Sequence, residues 1–233
     1  MINRKSHIPV ATEGYPVQVS QLGQTLAASI LFSCLLVLAR MAHTGRLTFV
    51  FLFWNLFLAC VPLGITRLLM AQPRLRKTKK FLVLFVLLWL LCIPNSFYIM
   101  TDLFHLSDWY NDFEVPPWYD LVLILSFVWN GLMLGILSVR QMEKILGPYL
   151  RSSHDLVFLY PVMWVNALGV YAGRYLRFNS WDVLTSPFAL VADLGTLLRH
   201  PVAYRYAWAM IGCFSVLLSL IYLTLKRIAT AVR

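Results

Sequence analysis

Charged residues are scarce in this sequence. Asp, Glu, Lys and Arg make up only 13% of its 233 residues, whereas a soluble globular domain has roughly 25%. Hydrophobic residues reach 60%, and the mean hydropathy is +0.70. A soluble chain of this length has too small an interior to bury so much apolar surface. We therefore expect lipid to be the solvent of most of the chain.

The sequence also lacks the motifs of several functional classes. It contains no phosphate-binding loop, no G-x-S-x-G elbow and no H-E-x-x-H. The four cysteines lie inside apolar stretches without metal-ligand spacing, so we interpret them as packing residues. The net charge of +10 comes from short basic segments between apolar runs. Because no extended basic domain is present, we expect no nucleic-acid partner.

Six apolar stretches have about the 20 residues that a membrane-spanning helix needs. They are residues 25–42, 47–69, 81–100, 119–139, 156–175 and 204–225. The pattern predicts an all-α, polytopic membrane helix bundle, in which residues 25–225 form one domain. Residues 1–24 are predicted to be a cytoplasmic polar tail without the apolar core of a signal peptide, and residues 226–233 a cytoplasmic basic tail. The segment 183–200 predicts a helix at the outer interface or folded back into the bundle.

The distribution of Lys and Arg predicts the orientation of these helices. The loops after the second and fourth stretches are basic, whereas the loop after the third is acidic. The positive-inside rule then places both termini in the cytoplasm, and we expect a bacterial cytoplasmic membrane. Four arginines break the rule on the predicted outer side: Arg174, Arg177, Arg199 and Arg205. Arginines in such positions indicate an anionic partner, such as a lipid headgroup or a small anion.

The third stretch carries the most informative polar pattern. Asn95, Tyr98, Asp102 and His105 are three, four and three residues apart, which places them on one helical face directly after Pro94. Asp102 and His105 are the candidate catalytic residues, as a base with its orienting carboxylate, or else candidate metal ligands. A hydrogen-bonded pair at a helix end explains the same spacing equally well. The residues alone assign no cofactor.

Other polar residues are predicted near the outer ends of the helices, where they would converge with the third helix. The further candidate ligand-binding residues are Asp120, Asn130, Arg174, Arg177, Asn179 and Asp182. Asn55 and Asn166 are also predicted at membrane depth, where polar groups are costly. Arginine suits a phosphate or carboxylate group. The alternative is that the arginines pair with Asp102, Asp120 or Asp182 and serve structure alone.

Two predicted helices contain G-x-x-x-G, at Gly131–Gly135 and Gly169–Gly173. Small residues at this spacing let helix backbones approach closely. We expect these helices to pack tightly against each other or against a second copy, which makes a homo-oligomer an open alternative.

Longer motifs resemble a known family. They are PNSFYIMTDLFHL from Pro94, WYD from Trp118, WNG from Trp129 and GRYLRFNSWD from Gly173. Together they resemble the bacterial membrane proteins of domain-of-unknown-function family 1361, over roughly residues 47–225. The resemblance implies a polytopic bacterial membrane protein and no established activity or cofactor.

Three functional classes stay open. An outward-facing pocket that binds an anionic or lipid-like ligand is the interpretation we prefer. A membrane-embedded enzyme acting on a lipid or lipid-linked substrate would use Asp102 and His105 for chemistry. A transporter or an accessory subunit would use the polar network for passage or for packing alone.

Overall fold

A computed structural model describes residues 15–109, 115–149, 155–178 and 182–231. Within these ranges the chain is helical and has no β-strand, which confirms the predicted all-α class. The α-helices are α1 (Tyr15–Thr44), α2 (Phe51–Ala71), α3 (Pro73–Lys77), α4 (Lys79–Cys92), α5 (Pro94–Tyr98), α6 (Pro117–Leu146), α7 (Tyr160–Arg174), α8 (Asp182–Thr185), α9 (Pro187–Arg199) and α10 (Arg205–Ala231). Ile99–Trp109 and Gly147–Tyr149 form 3-10 helices, and Asp155–Leu159 forms a π-helical turn.

Five helical stretches in the described ranges are long and apolar enough to cross a membrane. They are Gln21–Thr44, Phe51–Ala71, Lys79–Leu106, Pro117–Tyr149 and Arg205–Ala231. On these stretches, large apolar side chains such as Leu35, Phe57 and Leu125 are at least half exposed. Because lipid covers such faces at no cost, the composition suggests a multi-pass membrane protein.

The fifth predicted stretch, residues 156–175, forms the π-helical turn and then α7, which has 15 residues. It is not among the five stretches, so six crossings and cytoplasmic termini stay predictions. α1 already begins at Tyr15, inside the predicted tail. The segment 183–200 contains the expected helix, α9, and its placement at a membrane interface also stays a prediction.

The third predicted helix is broken. α4 ends at Cys92, Pro94 begins α5, and the chain continues as a 3-10 helix from Ile99. Pro94 has no N–H to donate to the carbonyl of Leu90, which interrupts the α-helical bonding. In the 3-10 helix residues three apart align, so Asp102 and His105 share one face. The break positions α5 in the middle of the bundle, packed against α2, α6 and α7.

Glycines in the neighbouring helices allow α5 to pack closely in this central position. A Cβ at Gly131 would lie 2.7 Å from the backbone oxygen of Ser96, and one at Gly169 would lie 2.5 Å from Cγ of Pro94. Gly135 and Gly173 contact Phe97 and Tyr98 in the same way. The two G-x-x-x-G pairs were expected to pack against each other or a second copy. In the structure, both pairs instead pack against α5, from α6 on one side and α7 on the other.

The apolar core lies on both sides of α6. One cluster joins α6 to α2 through residues such as Leu52, Leu123 and Phe127. A second cluster joins the other half of α6 to α4, α7 and α10, around Trp89 and Met142. Because α6 contacts α1, α2 and α5 as well, it fixes the position of the broken helix.

Candidate functional site

A cavity of ≈ 260 Å³ lies between α2, α4, α5 and α7, with α8 and α9 beside it. Most of its lining is apolar and includes Leu58, Leu90, Leu91, Val165, Leu168, Leu190 and Leu194. Its polar side chains are Asn55, Asn95 and Tyr98. Small-molecule sites typically have about 300–1,000 Å³, so this cavity fits a headgroup or part of an aliphatic chain rather than a whole phospholipid.

α5 forms the floor of the cavity and is held rigidly. Ser96, which is fully buried, donates from Oγ to the carbonyl of Ala59 at 2.9 Å. The ring of Tyr98 lies against Gly173, where an added Cβ would be 3.2 Å from Cδ2 and Cε2. These contacts fix Asn95 and Tyr98 at the cavity, as their predicted common face requires.

Two prolines leave carbonyl groups at the cavity without their helical partners. Pro62 lies inside α2 and Pro94 begins α5, and each lacks the N–H that would pair with the residue four positions earlier. Those earlier residues are Leu58 and Leu90, and both line the cavity. The site thus combines apolar side chains with main-chain acceptors that the helices themselves do not use.

Asn55 connects the cavity to a buried carboxylate. Its Nδ2 donates to Oδ2 of Asp102 at 2.9 Å, while its side chain also lines the cavity. Asp102 is 1% exposed. An ionised carboxylate at such depth needs hydrogen-bond donors and a nearby cation, because desolvation otherwise strongly disfavours it. Arg174 is close enough for its positive charge to act on Asp102.

His105 lies between the ring of Phe51 and the guanidinium of Arg174. Its ring centroid is 5.1 Å from that of Phe51, and its Nε2 is 3.3 Å from Nη1 of Arg174. The guanidinium also lies 5.4 Å from the ring centroid of Phe104. Because a guanidinium only donates, Nε2 of His105 accepts in this contact and its proton is on Nδ1. His105 and Arg174 thus contact each other outside the lining of the cavity, although Arg174 directly follows Gly173, which lines it.

The contacts of Asp102 and His105 bear on the predicted roles of this pair. Asp102 accepts from Asn55, and the Nε2 lone pair of His105 faces Arg174. Among the described residues no group of three or more His, Cys, Asp or Glu side chains is placed to hold a metal ion. The adjacent guanidinium would also repel a cation.

The structure places Asp120 and Asn130 away from the cavity, between α1 and α6. Asp120 forms a two-pronged ion pair with Arg40, at 2.7 and 3.1 Å, and both side chains are almost fully buried. Asn130 donates to Oγ of Ser33 at 2.8 Å. Neither residue lines the cavity. The convergence expected for these two residues with the third helix is therefore not observed, because both side chains bond to residues of α1 instead.

The predicted ligand-binding residues that follow Arg174 lie in different surroundings. Arg177 is exposed and has a φ of 60°, which turns the chain so that the N–H of Phe178 reaches the carbonyl of Ala172 at 3.2 Å. Phe178 lines the cavity. Asp182 begins α8 and accepts from Oγ1 of Thr185 at 3.1 Å. Asn179 lies outside the described residues.

A second polar cluster occupies the opposite end of α6. Glu143 accepts from Nζ of Lys226 at 2.6 Å and from the hydroxyl of Tyr222. Asp120 and Glu143 are separated by on the order of 35 Å of helix. Trp89 donates to Ser138 at 2.8 Å nearer to this cluster. These side chains satisfy one another and hold α4, α6 and α10 together at the end remote from the cavity.

Comparison with known proteins addresses the resemblance noted above. A family profile described as protein of unknown function (DUF1361) matches residues 54–221. The chain belongs to the DUF1361 family. No curated protein and no solved structure matches the chain. The DUF1361 match includes Asn55, α5 and α7, and thus every helix that contributes polar groups to the cavity.

Sequence reasoning missed two residues that matter in this DUF1361 protein. Asn55 was noted as a polar residue at membrane depth but not included with the candidate site residues. Its neighbour Trp54 also lines the cavity. Arg40 was not considered at all. An arginine inside an apolar stretch implies a buried acidic partner, and Asp120 is that partner.

Proposed function

We propose that this DUF1361 protein binds an amphiphilic, anionic ligand in its cavity, as a multi-pass protein of the bacterial cytoplasmic membrane with both termini in the cytoplasm. The observation that carries the proposal is the position of Asn55, which lines the apolar cavity and also bonds to Asp102 beside Arg174. The cavity thus has apolar walls and a polar, charged margin. A molecule with an apolar part and an acidic headgroup complements both.

Arg174 is the group best suited to receive the anion. Its guanidinium has five N–H donors, and His105 Nε2 takes one of them. A phosphate or carboxylate at the margin of the cavity would replace a weak neutral acceptor with a charged one, which is a stronger hydrogen bond. Asn95 and Tyr98 would then contact the neutral part of the headgroup, since both side chains line the cavity.

The contacts favour binding over catalysis. A general base needs a free lone pair within reach of its substrate. The Nε2 lone pair of His105 is directed at Arg174, and Asp102, although it keeps further lone pairs, is only 1% exposed. The cluster of Glu143, Tyr222 and Lys226 likewise favours binding over transport, because it closes the far end of the bundle with side-chain hydrogen bonds.

Native mass spectrometry of gently purified protein, with lipid and elemental analysis of the same sample, tests the proposal. We expect wild-type protein to retain an anionic lipid and Arg174→Gln to lose at least three-quarters of it. Arg205→Gln is the matched control, because Arg205 is exposed and its guanidinium contacts the ring and the hydroxyl of Tyr206, which does not line the cavity. The control should retain lipid like wild type.

The elemental analysis separates the alternatives. A stoichiometric metal lost in Asp102→Asn or His105→Ala would favour the metal-site interpretation instead. Equal lipid retention in wild type, Arg174→Gln and a Tyr98→Phe/Asn95→Ala variant would contradict the proposal, since none of these groups would then contact the ligand. A folded state, judged by a monodisperse elution profile, is required of every variant compared.

A further inference from the structure

We propose that the ligand reaches the cavity sideways from the bilayer, through the gap between α2 and α7, and is therefore a membrane lipid with an aliphatic tail. This inference rests on the proposed function and names the source of its ligand. It is carried by the exposure of two residues that line the cavity, Trp54 of α2 and Val165 of α7.

The gap exists because α2 and α7 are separated by α5. Both helices pack against α5, and the cavity occupies the space between them. At the rim of this space Trp54 is 52% exposed and Val165 is 37% exposed, although both line the cavity. The cavity therefore continues to the outer surface of the bundle at this point.

The surface around the rim is apolar. Trp54 lies against Phe57, with ring centroids 5.4 Å apart, and Phe57 is 58% exposed. Trp164, next to Val165, is 41% exposed. α2 lies within one of the stretches long and apolar enough to cross a membrane, so its exposed apolar face contacts lipid tails. The gap opens on that face.

Apolar side chains cover the cavity at the end of the bundle where α7 leads into α8 and α9. Val183 of α8 and Leu190 and Leu194 of α9 line the cavity there. α9 is fastened at its far end, where Leu197 is buried and its carbonyl accepts from Nε1 of Trp208 at 3.3 Å. A charged, water-soluble molecule would have to pass these leucines, whereas an aliphatic tail in the bilayer meets an open, apolar rim.

Photo-crosslinking in lipid nanodiscs tests the route. The probe is a phosphatidylglycerol with a diazirine in the middle of one acyl chain, and the labelled residues are identified by mass spectrometry. We expect label on the cavity floor at Pro94 and Gly169, which lipids on the outer surface do not reach. Val165→Trp, which fills the rim, should reduce this label at least fivefold.

Leu125→Trp is the matched control. Leu125 is 50% exposed on α6 and does not line the cavity. Both substitutions add the same ring to an exposed apolar position, so the control accounts for general effects of the larger side chain. Floor labelling should be the same in Leu125→Trp as in wild type. Leu58→Trp, on the opposite side of the gap, should repeat the effect of Val165→Trp.

A second arm separates this inference from the proposed function. Glycerol 1-phosphate, which has a headgroup but no tail, is titrated against wild type and Val165→Trp. If it binds both equally while the cavity floor is never labelled by the photolipid, the anion site stands and the lateral route is wrong. If neither the photolipid nor glycerol 1-phosphate engages the cavity, the proposed function is wrong as well.

Discussion

The side-chain amide of Asn55 donates a 2.9 Å hydrogen bond to the buried carboxylate of Asp102. This bond joins α2 to the 3-10 helix that follows α5, and Asn55 also lines the cavity between these helices. Asn55 therefore determines both the charge environment of Asp102 and the shape of the cavity.

Replacing Asn55 should show how much this hydrogen bond contributes to the stability of the protein. Asn55→Ala removes a donor from a carboxylate that is 1% exposed, so we expect the free energy of unfolding to fall by about 1.5–3 kcal/mol. In an Asp102→Asn background the same change should cost only about 0.5–1.5 kcal/mol, because the bond no longer involves a charged group. Unfolding in mixed micelles measures this cycle. Equal losses in both backgrounds would show that the charge of Asp102 adds nothing to the bond.

Glycine substitutions test the packing of α5. Gly169→Ala would place a Cβ 2.5 Å from Cγ of Pro94, and we expect it to lower the free energy of unfolding by about 1–3 kcal/mol. Gly64→Ala in α2 meets nothing within 4 Å and should be neutral or stabilising by up to about 1 kcal/mol. Thermal unfolding compares the two. A Gly169→Ala protein as stable as Gly64→Ala would mean that α7 does not approach α5 this closely.

The pair Arg40–Asp120 should behave as a structural ion pair. Asp120→Asn alone leaves a buried guanidinium without its charge partner and should cost about 3–5 kcal/mol. The double variant Arg40→Met/Asp120→Leu should lie within about 1 kcal/mol of wild type or be more stable. Its lipid content should also equal that of wild type, since the pair is remote from the cavity. Loss of lipid from this stable double variant would restore Asp120 as a ligand-binding residue.

Substituting Arg177 separates the effect of its backbone conformation on stability from the effect of its charge on lipid binding. Its φ of 60° costs an L-residue about 1–2 kcal/mol, while glycine loses about 0.5–1 kcal/mol more entropy on folding. We therefore expect Arg177→Gly to be neutral or to stabilise by up to about 1 kcal/mol, with lipid content unchanged. Arg174→Gly, at the last residue of α7, removes the contacts with His105 and Phe104 and should lose lipid. An Arg177→Gly protein that folds but loses its lipid would show that Arg177 binds the anion.

Hydropathy and residue spacing predicted much of the fold. The apolar stretches locate the long helices, since lipid permits little except a continuous helix across the bilayer. Of the four residues predicted to share one face, Asn95 and Tyr98 line the cavity, whereas Asp102 and His105 do not. Pro94 indicated the break in the third helix, because proline has no N–H for the helical hydrogen bond.

The sequence did not predict which polar residues meet. Such pairing depends on three-dimensional neighbours far apart in the chain, as with Arg40 and Asp120, 80 positions apart. The glycine pairs illustrate the same limit, because their spacing indicates close approach without naming the partner. α5, a single five-residue helix, was too short to be recognised as that partner.

A crystal structure of the protein grown from a lipidic mesophase doped with phosphatidylglycerol tests the central claim most directly. We predict electron density for an aliphatic tail between α2 and α7, with its headgroup within about 3.2 Å of Asn95, Tyr98 or Arg174, the distance of a hydrogen bond. A cavity that contains only water, with lipid density confined to the outer surface of the bundle, would contradict the claim.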